Sequence, residues 1–458
     1  MTAASVSGPV DGGKGRPFGS PPCGVEEAGY VMEEFLVEGS AGSYRPTAPP
    51  GLDGRWAVEP ADEAAYRTRM YVVRPASADD FNGIVLANWQ NVTAGFDLGM
   101  PTPEAYNGYA WVGITTQAVA IDGMPALGPG MAATRGLPAE DPERYGTLHH
   151  PGDAFSYDVF TQVAATVGPG RVPPVGPVDP LGGLEPCLIL ATGSSQSAMR
   201  LGSYLNMVHE RAQLFDGFLL TVHWGLCPPP PDQVLLESFM PLDDGLYAGS
   251  ARIRDDGVPV LVLCTETEVL ANFPVRQPDT DSYRFWEMAG TAHATGAGLE
   301  DFADFLDRFA GADADDLHAN TVGWDYVADA ALRHLVRWIE RGEAPPRFPP
   351  IDVDPGPPAA IRRDEWGNAT GGIRLPDVVA PIAHHRGDND VNLLLAMLGE
   401  SIPFTRDELA ARYAGRDDYL SEWDGAIDAL LQGGLTLDGN AAALRARGRV
   451  LADEYFVS

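Results

Sequence analysis

Basic residues are scarce in this chain. Its 458 residues hold 31 lysines and arginines against 64 aspartates and glutamates, a formal charge of −33. A surface of that sign repels nucleic acid and anionic lipid, and no arginine-rich patch with interleaved aromatics relieves it, so neither nucleic acid nor a membrane surface is an expected partner. The excess acid reads as a solubility feature. Cysteine is scarce too: Cys23, Cys187, Cys227 and Cys264 are too few and too scattered for a disulfide framework. Cys187 and Cys264 fall inside apolar strand patterns and read as small buried residues. Long hydrophobic runs are missing, since no segment approaches the ~18 apolar residues of a membrane span. Met1 to Pro22 is rich in Gly, Pro and Ser without the apolar centre of a signal peptide. The expectation is a cytoplasmic protein whose residues 1–25 form a disordered lead. Strong metal-ligand spacing is also lacking. His149-His150-Pro-Gly-Asp153 and the His384-His385 stretch to Asp390 have neither cysteine pairs nor a His-Glu-x-x-His pattern. Gly371-Gly372 is not followed by the Lys-Ser/Thr of a phosphate loop. No metal and no cofactor are expected.

What the chain does have is concentrated between Cys187 and Asn206. Cys187 to Ala191 is an apolar run that reads as a buried strand. The small-residue turn Gly193-Ser194-Ser195-Gln196-Ser197 follows, and then Met199, Leu201, Tyr204, Leu205 and Val208 at helical spacing. Strand, tight turn and helix form the setting in which a Gly-x-Ser-x-Gly type sequence lifts one hydroxyl, here Ser195, above the end of a sheet. The helix N-terminus beneath it favours developing negative charge. An ordinary turn with a capping serine would use the same residues.

Two later segments separate these readings. Val258 to Cys264 is a second buried-strand pattern and runs into Thr265-Glu266-Thr267-Glu268. Tyr283 to Ala289 reads as an alternating strand and ends in Gly290-Thr291-Ala292-His293. Serine, acid and histidine therefore follow one another, each just after a strand. A serine hydroxyl needs an imidazole to take its proton, and the imidazole needs a carboxylate to fix its tautomer and stabilise its cation. Glu268 is the favoured acid, with Glu266 as the alternative. The oxyanion formed on attack needs two donors. One is expected from the N–H of Gln196, the other from the turn Asn88-Trp89-Gln90-Asn91, with Trp89 and Gln90 as candidates. Asn88 and Asn91 are candidates for substrate contact, or simply turn formers. His223 could reach a cleft mouth beside Trp224 and contact substrate there, although a surface or packing histidine is the favoured reading.

Around these segments the pattern is that of an α/β protein with a mostly parallel central sheet and helices on both faces. Tyr30–Val37 and Tyr66–Arg74 alternate as antiparallel opening strands, whereas Gly83–Asn88 and Tyr109–Thr116 are more uniformly apolar. Asp153–Val167 and Ala328–Arg341 have helical periodicity. Residues 26–345 read as one core interrupted by an insertion at 225–257, whose Leu235, Phe239, Met240 and Leu246 are spaced to cover a cleft as a lid. Phe239 is the candidate substrate contact there. A second insert, 295–320, carries an amphipathic Phe302, Phe305, Leu306, Phe309 pattern. Pro345–Pro358 is a break, and 346–458 reads as a C-terminal helical extension packed on the core, with helices at 391–398, 406–413 and 422–432.

The chain resembles the α/β-hydrolase-domain proteins marked by a Gly-x-Ser-Gln-Ser elbow. The similar stretches are Asn88-Trp-Gln-Asn-Val-Thr-Ala-Gly95, His150-Pro-Gly-Asp-Ala-Phe-Ser-Tyr-Asp158, Gly193-Ser-Ser-Gln-Ser197, Arg276-Gln-Pro-Asp-Thr-Asp281, Trp286-Glu-Met-Ala-Gly-Thr-Ala-His293 and Asp364-Glu-Trp-Gly-Asn-Ala-Thr-Gly-Gly-Ile-Arg374. The resemblance extends over roughly residues 28 to 450. Ala198 departs from the glycine expected after the second serine of the elbow. The resemblance implies the α/β-hydrolase fold and esterase-like hydrolysis of a small-molecule ester, without specifying the substrate or an oligomeric state. An acyltransferase or lactone-forming enzyme would use the same three residues, and a non-catalytic binding protein would have no need of all three. Esterase activity independent of any metal should survive dialysis against a chelator unchanged; activity stripped by the chelator and restored by zinc would move the chemistry to the histidine clusters.

Overall fold

The computed structural model describes residues 4–19, 25–99, 101–126, 133–171, 178–229, 246–294, 318–389 and 396–456. The expected lid residues Leu235, Phe239 and Met240, the amphipathic pattern from Phe302 to Phe309, Cys23, and most of the helix expected at 391–398 lie outside them. Contacts divide the chain into two compact units, Met1–Val260 with Val275–Gln277, and Leu261–Pro274 with Pro278–Ser458. The expected extension 346–458 thus belongs to the unit that carries Glu268 and His293. Among the described residues no helix is long and apolar enough to cross a membrane.

In the first unit seven strands, β1 (Ser5–Ser7), β2 (Tyr30–Pro46), β3 (Val58–Pro75), β4 (Ile84–Trp89), β5 (Ala110–Ile114), β6 (Leu188–Ser194) and β7 (Gly217–Thr221), lie in the order β1-β2-β3-β5-β4-β6-β7. The pairs from β1 to β5 are antiparallel, and β5, β4, β6 and β7 run parallel. Val85, Ala87 and Ile189 to Ala191 are wholly buried, which is why these strands read as continuous apolar runs. Helix α1 (Ser156–Ala165) packs on β2 and β5, and α2 (Gln196–Met207) on β6, β4 and β7. All twelve residues of α2 are buried, so its apolar spacing marks a core helix with no solvent face. Cys187 is a correction: β6 begins one residue later, and the thiol is exposed and donates to Gly83 O at 3.2 Å. β2 and β3 extend well past the expected strands into a long hairpin with a register shift between Gly42 and Tyr44. Its distal part, Glu59 to Glu63, is exposed, so no apolar alternation announces it.

The lead is a second correction. Residues 4–19 are held in the first unit by main-chain groups, which composition does not report, and by a few apolar side chains: Ala4 and Val6 are buried, and Val10 and Phe18 pack on a core cluster. β1 pairs with β2. Phe18 O accepts from Arg69 Nη2 and from the Tyr71 hydroxyl, both at 2.6 Å, and Phe18 N donates to the Tyr145 hydroxyl at 3.0 Å. Arg69 anchors this segment. It has no exposed surface and meets Glu34 at 3.0 Å and Asp97 at 2.7 Å, both equally buried. Arg144 adds a second cation to Glu34 at 2.5 Å. Two acids and two bases balance inside the protein. Removing one member of such a group leaves an uncompensated charge, typically at about 3–5 kcal/mol. Asp97→Ala should therefore destabilise the first unit by about 3 kcal/mol, read in a urea titration as a lower midpoint of that unit's transition at an unchanged m-value.

In the second unit, β8 (Val260–Thr265), β9 (Tyr283–Ala289) and, after the short antiparallel pair β10 (Val353–Asp354) and β11 (Ala360–Ile361), β12 (Ile373–Arg374) lie in the order β8-β9-β12. β9 and β12 run parallel. β9 was expected to alternate, yet all seven of its residues are buried. Its charged members are met inside: Arg284 Nε donates to Pro345 O and Glu287 accepts from Ile351 N, each at 2.8 Å. β13 (Ala383–Arg386) pairs with β14 (Glu400–Pro403). The helices are α3 (Asp325–Arg341), α4 (Arg406–Arg412), α5 (Arg416–Gln432) and α6 (Asp438–Tyr455). α6 had no sequence signature, because it packs through small residues. Gly448 lies under Trp423 so closely that a Cβ there would sit 2.4 Å from the indole.

Candidate active site

Ser195 sits where β6 ends and α2 begins. Its backbone has φ 58° and ψ −123°, a conformation that costs a residue with a side chain on the order of 1–3 kcal/mol. Three contacts hold it there. Ser195 N donates to Thr221 O on the neighbouring β7 at 2.9 Å. Ser197 Oγ accepts from Ser194 N at 2.9 Å and donates to Ser194 O at 2.8 Å, stapling the turn from both sides. Gly193 gives the close approach: a Cβ there would meet Leu201 Cδ1 at 2.9 Å. The second serine of the elbow thus fixes the turn, a role its place in the motif alone did not reveal. Ser195 is half-buried, and Gln196 is the first residue of α2.

The turn after β4 lies against the elbow. Asn91 Nδ2 donates to Ser194 O at 3.0 Å while Asn91 Oδ1 accepts from Thr93 N at 2.8 Å, so this residue is both a turn former and a brace. Asn88 Nδ2 donates to Thr192 Oγ1 on β6 at 3.0 Å. Gln90 is corrected as an oxyanion donor, since its N–H is spent on Ile114 O at 3.2 Å and its side chain is buried. Trp89 is wholly buried, with its indole donating to Gln117 Oε1 at 3.1 Å. His223 is not at a cleft mouth. Its ring is 2% exposed and packs on α2 at Gly202, where a Cβ would meet Nε2 at 2.9 Å. Burial pushes its imidazole down to about 4, so it stays neutral at physiological pH. Trp224 is buried beside it in sequence.

In the second unit the structure brings Glu268 and His293 together. His293 Nδ1 lies 2.6 Å from Glu268 Oε1. The other carboxylate oxygen accepts from Thr265 N at 2.8 Å and from Thr265 Oγ1 at 2.7 Å. Glu268 has no exposed surface, and the His293 side chain is 10% exposed. This contact favours the tautomer that carries its proton on Nδ1, with the lone pair on Nε2. Glu266 faces elsewhere. It accepts from Arg363 Nη2 at 2.8 Å and from Gly290 N at 2.7 Å. Burial pushes its carboxyl up, opposed chiefly by Arg363. A signal separating the two acids was present in the sequence. Thr265-x-x-Glu268 is a capping-box spacing, in which the glutamate folds back on the N–H three residues earlier, and Glu268 does so.

Sequence reasoning missed the residues that hold the histidine loop. His293 N donates to Thr267 Oγ1 at 2.9 Å, Trp324 Nε1 donates to Ala292 O at 3.0 Å, and Asn320 Nδ2 donates to Gly290 O at 2.8 Å. Asn320 and Trp324 come from a distant stretch with no local motif. Among the described residues, no group of three or more His, Cys, Asp or Glu side chains could hold a metal ion.

The chain belongs to the alpha/beta hydrolase domain family, whose profile matches residues 6–446. Solved structures with similarity include esterase 2 of Thermogutta terrifontis, at 11% identity over 61% of this chain and 92% of that one, with a TM-score of 0.28. Oligopeptidase B of Trypanosoma brucei matches at 11% identity over 58% of this chain but only 34% of its own length, with a TM-score of 0.26. A carboxylesterase of Geobacillus stearothermophilus matches at 15% identity over 45% of this chain and 49% of its own, with a TM-score of 0.23. No curated protein matches.

Neutralising Glu268 separates its role from that of Glu266. Glu268→Gln should lower kcat on an ester by roughly ten-thousandfold, the loss typical of a neutralised triad acid, with circular dichroism unchanged. Glu266→Gln should cost far less, about a hundredfold. The reverse order in steady-state kinetics would give the acid role to Glu266.

Proposed function

We propose that the protein is a serine hydrolase that cleaves a carboxylic ester or lactone through an acyl-enzyme. The observation that carries this reading is the positive φ of Ser195 at a strand-to-helix junction, strain that a plain capping serine has no reason to bear. In this reading Ser195 Oγ attacks the carbonyl carbon while His293 Nε2 takes its proton. Glu268 holds the imidazole by Nδ1–H and stabilises the cation. The N–H of Gln196 and a donor near Trp89 bind the oxyanion. The tetrahedral intermediate collapses as His293 gives its proton to the leaving alcohol. Water, activated by the same imidazole, then releases the acid and frees Ser195. Family membership and the 2.6 Å Glu268–His293 contact support these roles. We place the protein in the cytoplasm, a proposal that fits the Cys187 and Cys227 side chains being thiols rather than disulfides, the usual state in a reducing compartment.

A fluorophosphonate should label Ser195, and Ser195→Ala should abolish both labelling and turnover on a panel of esters of varied chain length. The expected loss is on the order of a millionfold. An adduct placed by mass spectrometry on Ser194 or Ser197, or a loss of only about tenfold, would overturn the assignment.

A further inference from the structure

Glu266 joins three segments of the second unit. It is 2% exposed. Its Oε2 accepts from Gly290 N at 2.7 Å, at the point where β9 ends and the loop to His293 begins. Its Oε1 accepts from Arg363 Nη2 at 2.8 Å and from Gly387 N at 3.2 Å, both in the C-terminal part of the chain. Its own N–H donates to Thr291 O at 3.2 Å. The next residue repeats the pattern: Thr267 Oγ1 accepts from His293 N and donates to Gly387 O. There is no slack in these contacts. A Cβ at Gly387 would lie 2.5 Å from Thr267 N, and one at Gly290, where φ is 72°, would lie 2.4 Å from Val378 Cγ2.

We propose that Glu266 and Arg363 are positioning residues for the catalytic base: Arg363 fixes the Glu266 carboxylate, and the carboxylate fixes the loop that presents His293. The inference rests on the reading of His293 as the base. It assigns a catalytic purpose to the 364–374 stretch, whose turn is closed by Asp364 meeting Arg374 at 2.7 Å and accepting from Trp366 N and Asn368 N at 3.0 Å each. That turn starts at the residue after Arg363 and holds the arginine in place. A buried ion pair is weak evidence for stability as such, because apolar replacements often fold as well. Its distinguishing property is directional. A carboxylate with fixed donors holds Gly290 to a definite position, and a misplacement of about 1 Å at a catalytic group can cost on the order of a hundredfold in rate.

The Arg363 side chain is 25% exposed, which leaves a route for a small guanidinium to replace it. The test compares Arg363→Ala, Arg363→Lys and Glu266→Gln with the full-length protein on a short ester. It reads kcat, KM, the fluorophosphonate labelling rate and Tm. We expect kcat and labelling to fall together by about a hundredfold in Arg363→Ala, with KM within about twofold. Arg363→Lys should lie between that variant and the parent. Added methylguanidine should restore kcat to Arg363→Ala but not to Glu266→Gln. A merely structural pair predicts a lower Tm with kcat unchanged at temperatures well below it, or methylguanidine that restores Tm and not kcat; either result overturns the proposal. If Glu266→Gln does not fold, the Arg363 variants decide. His293→Ala is run alongside. If it stays active, the base assignment itself has failed; if it is inactive while Arg363→Ala and Glu266→Gln keep full kcat, only the positioning role is lost.

Discussion

Satisfying both oxygens of the buried Glu268 side chain is the constraint around which the second unit is arranged. A carboxylate without exposed surface loses its hydration at a cost of several kcal/mol unless protein groups replace the lost water. Here Thr265 supplies a main-chain N–H and a hydroxyl to one oxygen, and His293 supplies its imidazole to the other. The first two donors come from the end of β8 and the third from the loop after β9. Both strand ends must therefore hold their places for the charge to be tolerated. Glutamate suits this position better than aspartate, because the longer side chain can fold back over one turn onto the N–H three residues earlier. The same satisfied oxygens that make burial tolerable also prevent rotation, so one set of hydrogen bonds serves both stability and orientation.

Ser195 poses the opposite problem, an unfavourable backbone that its neighbours have to hold. The strain is local to one residue, while the contacts opposing it come from β7, from Gly193 and from Ser197 within the elbow, and Asn91 in the turn after β4 braces the preceding carbonyl. Such strain persists only where the surroundings over-determine it. The wholly buried α2 does this, since a helix packed on every face cannot unwind its first turn to relieve one residue.

These two arrangements explain which parts were legible in the sequence. The strand-to-helix place of Ser195, the place of His293 just past a strand end and the central strands could be read because each carries a local pattern of apolar run then small-residue turn. Glu268 could have been separated from Glu266 by its capping-box spacing to Thr265. Other features could not be read this way. The distal part of β3, Glu59 to Glu63, is exposed throughout, so its residues carry no alternation. The opening segment has the composition of a disordered lead, yet carbonyl and amide groups, which carry no sequence signal, anchor it beside a few scattered apolar side chains. His223 follows a strand end, which admitted a cleft position beside the favoured packing one. Strand ends position backbone, however, and the side chain turned inward onto Gly202.

The distribution of arginine adds a last constraint. With 64 acids to 31 bases, each buried base is withheld from a surface that has few to spare. Several arginines are nonetheless inside: Arg69 against Glu34 and Asp97, Arg200 against Asp153, and, partly covered, Arg363 against Glu266 and Arg447 against Asp377. Guanidinium suits these places because its planar fork holds an acceptor in a definite direction, where an ammonium would act as a point charge. Arg69 ties down the N-terminal segment, Arg200 rises from the helix that follows Ser195, and Arg363 meets the acid beside the His293 loop. In each case the acid partner also receives a main-chain or side-chain donor from another segment. The ion pair therefore fixes the course of the chain as well as neutralising a charge. A chain selected only for an acidic, soluble surface would gain little from this placement. A chain that must hold a strained serine and a histidine loop in fixed positions gains rigidity at the points where its strands end.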